Sequence, residues 1–172
     1  MDQTELSAII GKAHGDGSDT LDLSQEELES LPASIGDLVN LVELDLSGNR
    51  LTKLPPEIGN LTRLTRLNVR NNQLMELPPE IGSLVELNGL FVQENQLSSL
   101  PSQIGNLTRL RRLNSSNNQL TSLPPELGNL TSLTWLFLPD NSLLELPPEI
   151  GSLAALTEIS FRATRSSRCL RK

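Results

Sequence analysis

Histidine and cysteine, two side chains that commonly act in catalysis and bind metal ions, are rare in this sequence. His14 is the only histidine and Cys169 the only cysteine, and they lie near opposite ends of the chain. Neither a zinc site nor a Ser-His-Asp triad can be assembled from so few conventional parts. Residues 11–18 are rich in glycine, but they follow no predicted strand and lack phosphate-loop spacing, so we expect a connecting loop. The sequence therefore predicts a protein that is not an enzyme and has no metal and no cofactor.

Aromatic and arginine side chains offer a different chemistry, which is the recognition of another protein. Phe91, Trp135 and Phe137 are three of the four aromatic residues in the chain, and arginines such as Arg66 and Arg112 accompany them. Aromatic rings and arginine are enriched at the centres of protein interfaces. These residues can act together only if the fold brings them to one surface, so the elements that position them have to be identified.

The chain repeats itself every 23 residues. The register L-x-x-L-x-L-x-x-N-x-L-x-x-L-P-x-x-I-G-x-L-x-x starts at Leu41, and an earlier copy begins near Ser18. A fixed period of this length predicts an α/β repeat solenoid, in which each unit buries its apolar face against its neighbours. We expect about seven units in one domain, with a concave parallel β-sheet. The later copies start at Leu64, Leu87, Leu110, Leu133 and Leu156.

Each predicted unit consists of a short strand around L-x-L, an asparagine that turns the chain, and a return segment on the convex side. In the return segment, Pro56 suits the first turn of a short helix and Gly59 can end it. The asparagines recur at one position, where a buried amide can bond backbone groups that a tight turn leaves unpaired. This predicted asparagine ladder consists of Asn49, Asn72, Asn95, Asn118 and Asn141.

One position of the predicted core departs from the repeat. Ser115 stands where Val69, Val92 and Leu138 stand in other units, so an inward position carries a hydroxyl group. A buried hydroxyl costs free energy unless it has a hydrogen-bond partner. We expect Ser115→Val to be neutral or stabilising.

A short amphipathic helix is predicted before the first unit. Residues 2–5, DQTE, have the spacing of a helix cap, and the apolar residues at positions 6, 9, 10 and 13 follow a helical period. Gly15 and Gly17 are expected to break this helix. We interpret it as a cap over the core of the first unit, the alternative being a helix for a membrane surface or a partner. The predicted organisation is a capping helix and loop at 1–17, the solenoid at 18–164, and a basic, disordered tail at 165–172.

Side chains in a strand alternate, so the residues on either side of the inward leucines point to the concave face. This register brings the three aromatic residues out of the core, and they lie beside Arg66, Arg70, Arg111 and Arg112. It also predicts a cation–π contact between Arg112 and Trp135. The alternative is that the rings pack on one another and on arginine stems as a surface ladder. The predicted partner-binding residues are Arg66, Arg70, Phe91, Arg112, Asn114, Trp135 and Phe137.

Charge is unevenly distributed along the chain, whose net charge is −7. Residues 162–172 carry four arginines, one lysine and no acid, and the other residues are strongly acidic. An acidic body argues against nonspecific binding of nucleic acid. The acidic start at residues 1–5 is unlike a signal peptide, and no apolar run is long enough to span a bilayer. A single cysteine cannot form the internal disulfides that are typical of secreted repeat proteins. The sequence therefore predicts a cytoplasmic protein that binds neither nucleic acid nor membranes.

The last unit departs from the register. After Leu156, Ile159 and Phe161 the pattern requires asparagine and leucine, but the chain has Thr164 and Ser166. No capping helix is predicted there, so we expect a partly bare core face at this end. An exposed apolar face indicates a partner, self-association or a truncated parent chain.

The units resemble the 23-residue class of leucine-rich repeats, as in residues 54–72, LPPEIGNLTRLTRLNVRNN. That class occurs in Ras-binding scaffold proteins, plant Ras-group-related proteins, Roco GTPases and many bacterial proteins. The resemblance implies a leucine-rich-repeat horseshoe whose concave face binds a protein. The first hypothesis is therefore a scaffold or regulatory module with a protein partner on that face. The alternatives are a truncated regulatory fragment of a larger signalling protein, such as a Roco-type GTPase, or a secreted host-interaction protein.

Overall fold

The computed structural model describes residues 1–162, so the predictions for Thr164, Ser166, Cys169 and the basic tail lie outside the described residues. One α-helix, α1 (Gln3–Asp16), precedes a stack of short strands. The strands form a seven-stranded parallel sheet in sequential order, which confirms the predicted solenoid. They are β1 (Thr20–Asp22), β2 (Glu43–Asp45), β3 (Arg66–Asn68), β4 (Gly89–Phe91), β5 (Arg112–Asn114), β6 (Trp135–Phe137) and β7 (Glu158–Ser160).

The middle residue of each strand points into the core. Leu44, Leu67, Leu90 and Leu113 pair in register along the sheet, and each is at most 1% exposed. A second row of apolar residues follows two positions later, at Leu46, Val69, Val92 and Leu138. Parallel strands lie about 4.8 Å apart, so equivalent side chains of successive units stack in direct contact. The core is therefore a series of aliphatic rows that run the length of the solenoid.

The return segments on the convex side are 3-10 helices. The expected role of Gly59 was wrong, because this glycine lies inside the helix Pro56–Asn60 and does not end it. A Cβ atom there would lie 2.8 Å from the carbonyl oxygen of Glu80 in the next unit, so the glycine serves close packing between units. The 3-10 helices are Ala33–Asp37, Pro56–Asn60, Pro79–Ser83, Ser102–Asn106, Pro125–Asn129 and Pro148–Ser152.

The asparagine ladder joins neighbouring units through the backbone. Nδ2 of Asn118 donates to the carbonyl oxygens of Val92 and Ser115 at 3.0 and 3.2 Å, and Oδ1 accepts from the Leu97 amide at 3.0 Å. All five asparagines are at most 9% exposed and bond the equivalent backbone groups of their own and the preceding unit. A buried amide with this set of bonds satisfies turn groups that would otherwise be unpaired.

Helix α1 covers the first unit. Oδ1 of Asp2 accepts hydrogen bonds from the amides of Thr4 and Glu5 at 2.8 Å, and Leu6, Ile10 and Ala13 are buried against the core. The helix was expected to break at Gly15, and residues 11–18 were expected to form a loop; both expectations were wrong. The helix continues to Asp16, because Gly15 keeps a helical backbone and only Gly17, at φ 62°, adopts the left-handed conformation that ends a helix.

The core is less well covered at the other end of the described chain. Ile159 in β7 is 42% exposed, whereas Leu136, its neighbour in register, is 0% exposed. Leu156 and Phe161 are also only partly buried. A Cβ atom at Gly151 would meet no heavy atom within 4 Å, although the equivalent glycines contact the next unit. Among residues 1–162, therefore, no further unit packs against this face.

Candidate functional site

The outward residues of the strands form two columns on the concave face, in the register that the repeat predicts. We call them the first and second columns. The first column contains Thr20, Glu43, Arg66, Gly89, Arg112, Trp135 and Glu158. The second column contains Asp22, Asp45, Asn68, Phe91, Asn114, Phe137 and Ser160.

Trp135 and Phe137 form an aromatic pair on β6. Their ring centroids are 4.2 Å apart, and the ring planes are tilted by 34°. Both side chains are half-buried, so each ring presents one part to solvent and packs the other against the protein. This contact supports part of the surface-ladder interpretation, but it leaves apolar area on a rigid strand available for a ligand.

Phe91 lies beside Arg66 instead of standing alone. The Arg66 guanidinium carbon is 5.1 Å from the Phe91 ring centroid, which is a cation–π contact. The prediction of a cation–π contact between Arg112 and Trp135 was wrong. Among residues 1–162, the cation–π contact joins Arg66 to Phe91, and the Trp135 ring packs on Phe137. A Cβ atom at Gly89 would be 3.0 Å from the Phe91 ring, so the missing side chain makes room for the ring over the sheet.

The polar residues of the second column have a structural task. Oδ1 of Asn114 accepts hydrogen bonds from the amide and the hydroxyl of Ser116, at 3.1 and 2.8 Å. Asp22 and Asp45 bond the amides two residues later in the same way, at 2.9 and 2.8 Å. These Asx turns end the strands, and the bonds from Ser24 lower the pKa of Asp22 below its usual value. Asn114 was predicted as a binding residue. Its structural role could have been recognised in the sequence, because aspartate or asparagine recurs at this position in several units.

Arg70 is the one predicted binding arginine that stands apart from the others. It follows β3 at a third outward position, and its side chain is exposed. Its amide donates to Oδ1 of Asn68 at 3.3 Å, but its guanidinium lines neither of the depressions around Arg66 and Arg112.

Two depressions meet at Arg66, Phe91 and Arg112. The larger, of about 640 Å³, lies toward the amino ends of the strands and contains Arg109 and Arg111. The other, of about 550 Å³, extends over Trp135 to Glu158. The repeat pattern placed Arg111 beside the aromatic residues, but neither Arg109 nor Arg111 was among the predicted binding residues, because both lie just before β5 and outside the outward register. The residues just before each strand also border this face.

Metal-binding groups do not cluster at these depressions within residues 1–162. In the described part of the chain, no cluster of histidine, cysteine, aspartate and glutamate could hold a metal ion. The ring of His14 lies on α1, with Nδ1 3.1 Å from the carbonyl oxygen of Asp37. No helix within residues 1–162 is long and apolar enough to cross a membrane.

Comparisons with solved structures find similar solenoids in bacteria and plants. A leucine-rich repeat protein of Leptospira interrogans is 36% identical with a TM-score of 0.72, and the match covers 88% of this chain and 45% of that one. An internalin of Listeria monocytogenes is 29% identical with a TM-score of 0.67, covering 78% and 39%. The ectodomain of the Arabidopsis thaliana receptor kinase GASSHO1/SCHENGEN3, in complex with CASPARIAN STRIP INTEGRITY FACTOR 2, is 40% identical with a TM-score of 0.72, covering 79% and 17%.

The chain therefore spans less than half the length of these solved chains. No curated protein matches it. The family described as the leucine-rich repeat region matches residues 20–90 and 64–138, which together cover more than half of the sequence. The chain belongs to the leucine-rich repeat family.

Proposed function

We propose that this protein binds an extended segment of another protein on its concave face, with Phe91, Arg112, Trp135 and Phe137 as anchors. The observation that carries the proposal is the half-buried pair of Trp135 and Phe137, whose rings are 4.2 Å apart on a rigid strand. Truncating a central aromatic residue of an interface commonly costs about 2 kcal/mol or more of binding free energy.

The rigidity of the scaffold favours such a role. Strands β2 to β6 each pair with two neighbouring strands, and the asparagine ladder bonds the backbone that follows strands β1 to β6, so the anchors lose little conformational entropy when a ligand binds. Repeat solenoids offer long concave surfaces for this purpose. The similarity to the GASSHO1/SCHENGEN3 ectodomain, which is seen in complex with an integrity factor, supports a peptide or protein as the ligand class.

The test is a selection of random peptides displayed on phage, with the full chain immobilised. Each selected peptide is then compared on wild type and on a variant with Phe91→Ala, Trp135→Ala and Phe137→Ala. We expect binding to fall at least about tenfold in this variant, which corresponds to ~1.4 kcal/mol. The variant should lose only a little stability, because the rings are half-buried. Thermal unfolding of both proteins checks this expectation.

The matched control removes exposed apolar side chains elsewhere. Met75, Val85 and Leu144 are 60%, 46% and 65% exposed and lie outside both columns. A variant with Met75→Ala, Val85→Ala and Leu144→Ala should retain the selected peptides. If the two variants lost peptide binding equally, or if neither variant lost binding, the concave-face proposal would be contradicted.

A scaffold or regulatory role in the cytoplasm is the finer part of this proposal. Cys169 is the single cysteine, so the chain cannot form the internal disulfides that stabilise many secreted repeat proteins. Fractionation of source cells with an antibody against the chain checks the location. Recovery outside the cell would favour the alternative of a host-interaction protein.

Self-association is a second candidate role, favoured by the exposed face of the last described unit. Ile159 is 42% exposed on β7, whose outer edge has no paired strand among residues 1–162. Such an edge can pair with a second copy of the chain. Light scattering should then show dimers that Ile159→Lys disrupts. A monomer at high concentration would exclude this role.

A further inference from the structure

The geometry points to an acidic segment of a protein as the ligand, with its carboxylates held by Arg66, Arg111 and Arg112. This inference rests on the proposed concave-face function and names the chemical class of the partner. Positive charge is concentrated at one place on the concave face, although the net charge of the chain is −7. Four arginines line one depression of about 640 Å³ on this face.

Two glutamates share this depression, and only one of them is engaged. Glu86 forms an ion pair with Arg109. Within the described part of the chain, the guanidinium groups of Arg66, Arg111 and Arg112 form no ion pair. Glu43 lies next to Arg66 in register but is not paired with it. The depression therefore holds an excess of unpaired guanidinium groups, which bind carboxylates with two parallel hydrogen bonds.

Gly89 determines the shape of this depression. It lies in the first column between Arg66 and Arg112, which are therefore two strand spacings or about 9.6 Å apart along the sheet. The ring of Phe91 fills the space above Gly89 and contacts Arg66. The two arginines thus flank an aromatic floor, and long flexible side chains on both sides can converge on one carboxylate above it.

The neighbouring charges limit where negative charge is accepted. Asp22, Glu43 and Asp45 line a depression over β1 and β2, and Glu158 lies at the other end beside Trp135. These acids repel a polyanion that runs along the whole face, such as a nucleic acid strand. A protein segment can carry its acids only opposite β3–β5 and an apolar residue opposite Trp135, so it fits this order of charge.

The test uses the peptides whose binding depends on the concave aromatic residues. We expect these peptides to be enriched in aspartate and glutamate relative to the unselected library. Replacing the acids of the tightest peptide with asparagine and glutamine should weaken binding at least about tenfold, and the difference should shrink with added NaCl. If the peptides that depend on the concave aromatic residues were not enriched in acidic residues, the assignment of an acidic ligand would be wrong, but the proposed binding on the concave face would still hold. If no selected peptide depended on the concave aromatic residues, both the acidic ligand and the proposed binding on the concave face would be contradicted.

Charge variants separate a built site from the net charge of the chain. Arg66→Gln with Arg112→Gln should abolish the preference for the acidic peptide over its neutral counterpart. Lys12→Gln with Lys53→Gln changes the net charge equally at exposed positions outside both depressions and should retain the preference. Equal loss in both pairs would overturn the site. Tighter binding of a single-stranded oligonucleotide than of the acidic peptide would overturn the assignment to a protein carboxylate.

Discussion

Gly105 packs directly against the backbone of Glu126 in the next unit. A Cβ atom at Gly105 would lie 2.6 Å from the Glu126 carbonyl oxygen, which is closer than real Cβ atoms approach. The same distance to the next unit recurs at Gly36, Gly82 and Gly128. The 3-10 helices therefore stack backbone against backbone, and only glycine permits this spacing between units.

We expect Gly105→Ala to lower the free energy of unfolding by about 2 kcal/mol or more, because the added methyl group must push two units apart. Urea unfolding followed by circular dichroism measures this loss. Gly151→Ala is the matched control, since a Cβ atom at Gly151 meets no heavy atom within 4 Å. It should be neutral or slightly stabilising. Equal losses at both positions would show that the glycines act through helix conformation and not through packing.

Asn118→Ala should destabilise the chain by about 2–4 kcal/mol. The substitution removes bonds to Val92 and Ser115 and leaves the buried amide of Leu97 without its acceptor. Asn88→Ala is the control, because Asn88 is exposed and its side chain forms none of these bonds. Denaturant unfolding of the two variants should separate them clearly. A loss below about 0.5 kcal/mol for Asn118→Ala would contradict the assigned role of the ladder.

Ser115→Val should raise the free energy of unfolding by about 1 kcal/mol. Ser115 is 0% exposed and its hydroxyl has no hydrogen-bond partner among the described residues, so its burial is uncompensated. Valine occupies the equivalent positions 69 and 92. Ser115→Ala separates removal of the hydroxyl from the filling of space. A lower melting temperature for both variants would mean that the hydroxyl has a partner.

Glu94→Asn should stabilise the protein by about 0.5–1 kcal/mol. Glu94 has φ 58°, a left-handed conformation that costs free energy for most L-residues and that asparagine tolerates better. Asn71 and Asn117 occupy the equivalent positions with φ 54° and 51°. Glu76→Asn makes the same change of charge at an exposed site and should leave thermal unfolding unchanged. A gain of the same size at Glu76 would assign the effect to charge.

The period of the sequence was sufficient to predict the order of the strands and the residues on each face. Leu113 is buried and Arg112 exposed because side chains alternate along β5, and alternation is a local property of the chain. The position of Asn118 in its turn was predictable for the same reason. The register of one unit, once identified, predicts that of its neighbours.

Contacts between units were not predictable from the pattern of one unit. Gly59 was expected to end a helix, but its environment is the backbone of Glu80, which lies in the next unit. A cation–π contact was expected between Arg112 and Trp135 across the strands, but the Trp135 ring packs on Phe137 of its own strand, and the cation–π contact found among residues 1–162 joins Arg66 to Phe91. Rotamers on an open face depend on all neighbouring side chains, so spacing alone does not determine them.

By itself, the sequence determined the solenoid, its seven strands and the residues of its concave face, because these follow from periodic alternation of apolar residues. Only the tertiary structure decided which of these residues lie together. It showed that Phe91 lies over Gly89 against Arg66, and that Arg109 and Arg111 border the same depression. The physical reason is that the depression is made by side chains from several units, whose directions depend on packing across the stack.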